Sequence, residues 1–402
     1  MTSTPAVNRS KNFNVRLAVV LSALVALLAL ALASTADAYK VQKGPKGDAF
    51  YTAPNDLPKG HGKLIWASKA ANLIDASDDA NSNKILYTSK SPQGERIAVS
   101  GSVAVPKGKA PKGGWPVITW DHGTTGLADS CAPSRSDYGT QYEPFIDTWV
   151  KAGYAVVRTD YAGLGTPGPH PYLIGKSAAR SALDATLAAR QLDPEIGNDF
   201  VTAGHSQGGH ATLWTANYAE SWAPQLKLHG TMAFAPASHI ADQISLLPAL
   251  TSPNPLSALA VSILAGASTA NPRVEPDQIL NPEPLALYPE VEQKCLGELG
   301  QTDSLGGIPP SELLKDGANL NPLVKVLTKN NPDVTTSAPI MVLQGTADST
   351  VFPVYTDQLV DELTAGGNDV EYVKVPGADH GGVMVGGLDA ANGFLDDNLP
   401  AG

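Results

Sequence analysis

The sequence predicts an α/β fold built on a mostly parallel sheet, and three observations predict it. Short apolar, β-leaning runs near 116–120, 154–159, 200–204, 229–235, 339–344 and 370–375 alternate with helical stretches. That alternation is the pattern of a parallel sheet with helices on its faces. One strand-to-helix transition turns sharply on Gly204-His205-Ser206-Gln207-Gly208. The alternation breaks once, over about 100 residues between Pro236 and Ala338.

The elements follow in order. Arg9, Lys11 and Arg16 precede an apolar run from Leu17 to Ala33, broken only by Ser22, and Ala36-Asp37-Ala38 follows. A basic start, an apolar stretch and an A-x-A site read as a secretory signal peptide, 1–38, cleaved after Ala38. An uncleaved membrane anchor is the alternative, because the run of about 17 residues is near the lower limit for a span. Residues 39–93 read as an irregular lead-in, with Pro45, Pro54 and Pro58. Glu95 to Pro106 reads as a strand or hairpin. Trp115 to Trp120 reads as a buried strand leading into Asp121-His122-Gly123-Thr124-Thr125-Gly126. From Ser177 to Leu192, Ala179, Ala182, Leu183 and Ala189 recur at helical spacing. The core is expected in two parts, 39–236 and 338–402. The cap, 237–337, is inserted between the sixth and seventh core strands. It is rich in proline, with apolar segments at Ile244–Leu247 and Leu256–Ala267. Such a lid would build an acyl pocket and gate access to it.

The G-x-S-x-G motif between strand and helix is the nucleophile elbow of an α/β-hydrolase. Glycines two positions either side of the serine let the strained turn approach its neighbours. A serine hydroxyl needs a base, and in this fold the order is serine, then acid, then histidine. Asp348 follows the buried run Ala338–Gly345, where open α/β sheets keep their chemistry. His380 lies in a glycine-rich loop after Val370–Val375 and is the only histidine beyond Asp348. Ser206 is therefore the expected nucleophile, His380 the base and Asp348 the acid that orients it. Asp379, beside His380, is the alternative acid. The oxyanion donors are expected from the backbone N–H groups of Gln207 and of Thr124 or Thr125. His122 reads as a residue that fixes this turn rather than a second base.

The chain has 402 residues, 43% hydrophobic, and a net charge of −11. No basic run marks the body of the chain, which argues against nucleic acid as a partner. Cys131 and Cys295 are the only cysteines. In an exported chain an even count suggests a disulfide, and neither residue has metal-ligand company. No cofactor or metal is expected.

Several segments resemble the secretory lipase family of the α/β-hydrolases, which includes the fungal lipase A type and exported actinobacterial enzymes. They are Val103–Pro106, Trp115–Val117, Asp121–Gly126, Cys131–Ser134, Tyr154–Val157, Asp160-Tyr161, Gly163–Pro167 and Gly204–Gly209. The run from Gly163 to Pro171 is more specific than the elbow. The resemblance implies a carboxylic ester hydrolase with a helical cap, no cofactor and a cap-to-core disulfide. The expected substrate is an acylglycerol or other apolar ester, met in solution or at a lipid–water interface. A serine peptidase or acyltransferase using the same triad, and a non-catalytic hydrolase-like binding protein, are the competing classes.

Overall fold

Among the described residues nine strands, numbered β1 to β9 along the chain with their ranges given below, form one sheet in the order β1-β2-β3-β5-β4-β6-β7-β8-β9. A computed structural model of the chain describes residues 1–2, 41–70, 80–135 and 145–401. The chain divides into two units, Met1–Lys40 and Val41–Gly402, and all nine strands belong to the second. The expected signal peptide, beyond its first two residues, lies outside the described residues.

Strands β1 (Leu64–Lys69), β2 (Ala80–Lys90) and β3 (Arg96–Pro106) run antiparallel. β3 also pairs antiparallel with β5 (Ala155–Thr159). From there β4 (Trp115–Asp121), β6 (Ile196–His205), β7 (Lys227–Phe234), β8 (Ile340–Gly345) and β9 (Val370–Val375) are parallel. β1 and β2 correct the expectation of an irregular lead-in over 39–93. Phe50 and Tyr51 pack on Ile65, Trp66 and Leu86, while Leu64, Ile85 and Tyr87 face the main core. With both faces covered, the alternation that marks a half-buried strand is lost. The cap insertion consequently follows the seventh strand in chain order, not the sixth.

Helices α1 (Phe145–Lys151), α2 (Gly175–Leu192) and α3 (Gln207–Trp222) belong to the core. α2 buries nearly its whole circumference, polar side chains included. Ser181 and Thr186 satisfy their hydroxyls on the carbonyls of Ser177 and Ala182, one turn back. Two large apolar clusters hold the sheet, one around Trp120, Trp149 and Phe234, the other around Tyr87, Val157 and Phe200.

Between β7 and β8 there are helices and no strand. The longest are α4 (Leu256–Ala270) and α5 (Asn321–Lys329). Their apolar residues form a separate cluster with Val274, Leu280, Leu299 and Leu313. Leu127, Tyr172 and Leu173 from the core complete it. α6 (Pro353–Ala365) and α7 (Leu388–Asn398) follow β8 and β9.

Candidate active site

Ser206 sits between β6 and α3 with φ 59° and ψ −115°, a conformation unusual for a residue with a side chain. Such strain costs about 1–3 kcal/mol and persists only where the surroundings enforce it. Here they do. The Ser206 N–H donates to the carbonyl of Phe234 at 2.9 Å, and its carbonyl accepts from His210 and Ala237. A Cβ on Gly204 would lie 2.3 Å from the carbonyl oxygen of Gly208, and one on Gly208 1.8 Å from that of Asp121. No other residue fits at either place without moving the backbone.

Asp348 follows β8 and is buried. Its Oδ1 accepts the backbone N–H groups of Thr350 and Val351 at 2.8 and 2.9 Å. Its Oδ2 lies 2.7 Å from Nδ1 of His380, which donates. Burial pushes the carboxyl up. The hydrogen bond and charge of His380, with the two N–H groups, outweigh that and leave it below the ordinary carboxylate value. It therefore stays ionised beside the imidazole. Asp379 is used otherwise. It accepts the N–H of Gly382 at 2.7 Å at the start of the short helix Gly382–Gly386, and its carbonyl accepts from Val383.

Two cavities share Ser206. The smaller, about 140 Å³, is lined almost wholly by apolar side chains, among them Leu173, Ile244, Leu247, Ile263, Leu264 and Leu323. The larger, about 720 Å³, brings Ser206 together with His380, Thr124, Thr125, Asn254 and Gln301. Leu256, Leu259 and Thr350 border both. Thr124 and Thr125 thus stand on the same cavity as Ser206, and Gln207 is the first residue of α3. His122 is buried, and its Nδ1 donates to the carbonyl of Gly123 at 2.6 Å. Burial pushes its imidazole down to about 3, in keeping with a residue that fixes the turn.

Two residues went unnoticed in the sequence. His205, the variable position of the elbow, donates from Nε2 to the carbonyl of His380 at 2.8 Å. Burial, then the nearby His380, push its imidazole down to about 3, so it remains a neutral donor. Gln344 donates to Asp348 Oδ2 at 3.2 Å and accepts from Thr356 Oγ1 at 2.7 Å. Its signal was a lone amide near the end of an otherwise apolar strand.

Cys131 and Cys295 form a disulfide with Cα atoms 5.4 Å apart. Beside it Gly126 and Cys295 make an isolated β-bridge, and Leu296 N–H donates to the carbonyl of Thr125. The cap is tied to the loop bearing Thr124 and Thr125 by both. Among the described residues no group of three or more His, Cys, Asp or Glu could hold a metal ion.

The sheet order, the elbow and the insertion after β7 define an α/β-hydrolase. The secretory lipase family profile matches residues 134–401. The chain belongs to that family. The matched span begins at Ser134, so the resemblance noted at 103–106, 115–117, 121–126 and 131–133 lies outside it. Lipase A of Moesziomyces aphidis is 28% identical over 272 residues, 63% of this chain. The alignment spans 56% of that relative, little more than half its length. Candida antarctica lipase A superposes with a TM-score of 0.72 at 21% identity, over 87% of this chain and 86% of that one. The rice cell wall degrading esterase LipA from Xanthomonas oryzae gives 0.70 at 19%, over 85% and 98%. At these identities the two structures speak for the fold. No helix among the described residues is long and apolar enough to cross a membrane.

Proposed function

We propose that this chain is a secreted carboxylic ester hydrolase acting through an acyl-enzyme on Ser206. The observation that carries the reading is the 2.7 Å pair of His380 and Asp348, opening onto a cavity that His380 and the strained Ser206 share. Ser206 Oγ attacks the ester carbonyl carbon while His380 Nε2 takes its proton. Asp348 holds the tautomer and stabilises the imidazolium. The backbone N–H groups of Gln207 and Thr124, or Thr125 in its place, receive the oxyanion. The C–O bond to the alcohol breaks, and His380 returns the proton to the departing oxygen. Water then repeats the sequence on the acyl-enzyme and frees the acid.

The substrate is an ester of an apolar acid. Its acyl chain enters the crevice lined by Ile263 and Leu264, and its alcohol occupies the larger cavity beside His380. Residues 237–337 act as the cap that shapes both. Export removes 1–38 after Ala38.

A fluorophosphonate should label Ser206 stoichiometrically, read by peptide mass spectrometry. p-Nitrophenyl esters from acetate to palmitate should be hydrolysed, and peptide anilides should not. Faster cleavage of anilides would make the chain a peptidase. An unlabelled, inactive protein would make it a binder. Protein recovered from the medium should begin at Tyr39, and retention in the membrane with an intact N-terminus would overturn the cleavage.

A further inference from the structure

The run Gly163–Pro171 is a more specific motif than the elbow, and the proposed reaction assigns it no task. The segment containing it, 161–173, is buried except at Pro167–Pro169, lends Tyr172 and Leu173 to the apolar crevice at Ser206, and is bounded by two left-handed residues with side chains, Tyr161 (φ 69°) and Leu173 (φ 55°). It folds tightly on itself, since a Cβ on Gly163 would lie 2.2 Å from the carbonyl oxygen of Pro169. Non-glycine residues held in this region mark places where the fold enforces a geometry at a cost.

Three side chains of the segment reach both halves of the proposed oxyanion site. Tyr161 donates its hydroxyl to the carbonyl of His122 at 3.0 Å. The Tyr172 hydroxyl and Thr124 Oγ1 lie 2.6 Å apart. His170 donates from Nδ1 to the carbonyl of Ala162 at 2.8 Å, which leaves Nε2 to accept from the Gln207 amide at 3.1 Å. Burial pushes the His170 imidazole down to about 4, which keeps that acceptor available. The segment is itself anchored. Leu164 packs in the cluster around Cys131 and Cys295, and α4 lies so close that a Cβ on Gly266 would meet the carbonyl oxygen of Tyr172 at 2.4 Å.

We infer that segment 161–173 is a brace that sets the spacing of the oxyanion hole, with His170 and Tyr172 as its positioning residues. Thr124 follows β4 and Gln207 opens α3, so the two donors belong to different elements. Preorganised donors act only while they stay aimed at the developing charge. The brace links both to one segment at its buried residues Tyr172 and His170, through the Thr124 hydroxyl on one side and the Gln207 amide on the other. Neither positioning residue touches the reacting atoms. The inference rests on the hydrolase reading of Ser206.

The test uses Tyr172→Phe and Gln207→Met, which remove one link each and leave every backbone N–H in place. Active sites are counted by fluorophosphonate labelling, so kcat refers to folded, competent enzyme. Each variant should lower kcat about tenfold, with KM within about twofold. Inhibition by an alkyl boronic acid, whose tetrahedral adduct on Ser206 carries the oxyanion, should weaken by a similar factor. In a double-mutant cycle, Thr124→Val should cost much less in the Tyr172→Phe background than alone. A lowered melting temperature with kcat per labelled site unchanged in both variants overturns the inference, because the segment then only packs. Independent, multiplicative losses for Tyr172 and Thr124 overturn it too. A wild-type protein that fails to label at Ser206 overturns the hydrolase reading and this inference with it.

Discussion

The core and the cap line the same two cavities with different chemistry. Every titratable side chain on either wall comes from the core: His122, Tyr172, His205 and His380. The cap adds aliphatic residues and a few amides, Gln243, Asn254 and Gln301. The core residues are pinned by backbone hydrogen bonds at strand ends, as the carbonyl and N–H partners of Ser206 and Asp348 show. The cap residues are held mainly by apolar contact, with one covalent tie at Cys295 and a few hydrogen bonds to the core such as those at Leu296 and Asn330. Bond-making is thus expected to be fixed by the part of the molecule that cannot shift, and choice of substrate by the part that can be repacked. Lesions in the two regions should leave different signatures.

The largest effect should come from Ser206→Ala, which removes the nucleophile and should abolish hydrolysis of short and long esters alike. Wild-type turnover in that variant, free of contamination, would end the comparison at once. Asp348→Asn should lower kcat by roughly 10³–10⁴ on every ester, because the imidazole loses the partner that fixes its tautomer. Asp379→Asn should be mild by the same assay, since Asp379 only caps a turn. The reverse ranking would move the acid.

The junction should respond in stability. Cys131→Ser with Cys295→Ser opens a link across 164 residues, worth about 5 kcal/mol in the chain-entropy model. The melting temperature should fall by several degrees, while the folded fraction still hydrolyses acetate esters. The smallest effect sharpens the contrast most. Ile263 borders only the apolar crevice, whereas Leu259 borders both cavities. Ile263→Asp should depress palmitate ester hydrolysis about tenfold or more and leave acetate within about twofold, since a carboxylate there opposes an apolar chain. Leu259→Asp should hurt both. Equal loss at Ile263 on short and long esters, with a lowered melting temperature, would make the crevice packing rather than a binding surface.

The same contrast governs what the sequence disclosed. β4 to β9 were legible because each is a short, mostly apolar run bounded by turn residues, and α2 because small apolar residues recur at helical spacing. The elbow, Asp348 and His380 were legible because the fold imposes their order and places them after strands. β1 and β2 were not, since Phe50 and Tyr51 bury the second face and erase the alternation. The cap was visible only as a break in pattern. Its helices are short and partly 3₁₀, as at Ile244–Ala249 and Tyr288–Glu292, and their packing is decided by contacts far apart in the chain. His170 and Gln207 are 37 positions apart and meet only in the fold, so no local pattern could join them.

The crowding at the elbow also limits how this molecule can be made more robust. Exchanging glycine for alanine is a routine route to thermostability, because it narrows the freedom of the unfolded chain. At Gly204 and Gly208 that route is closed: the added methyl group would strike the carbonyl oxygens of Gly208 and Asp121 and push apart the turn that holds Ser206 in its strained pose. An engineer would turn instead to Gly393, exposed within α7, where an added Cβ meets nothing within 4 Å. Alanine there should add about 0.5–1 kcal/mol to the helix and leave the distant elbow as strained as it was.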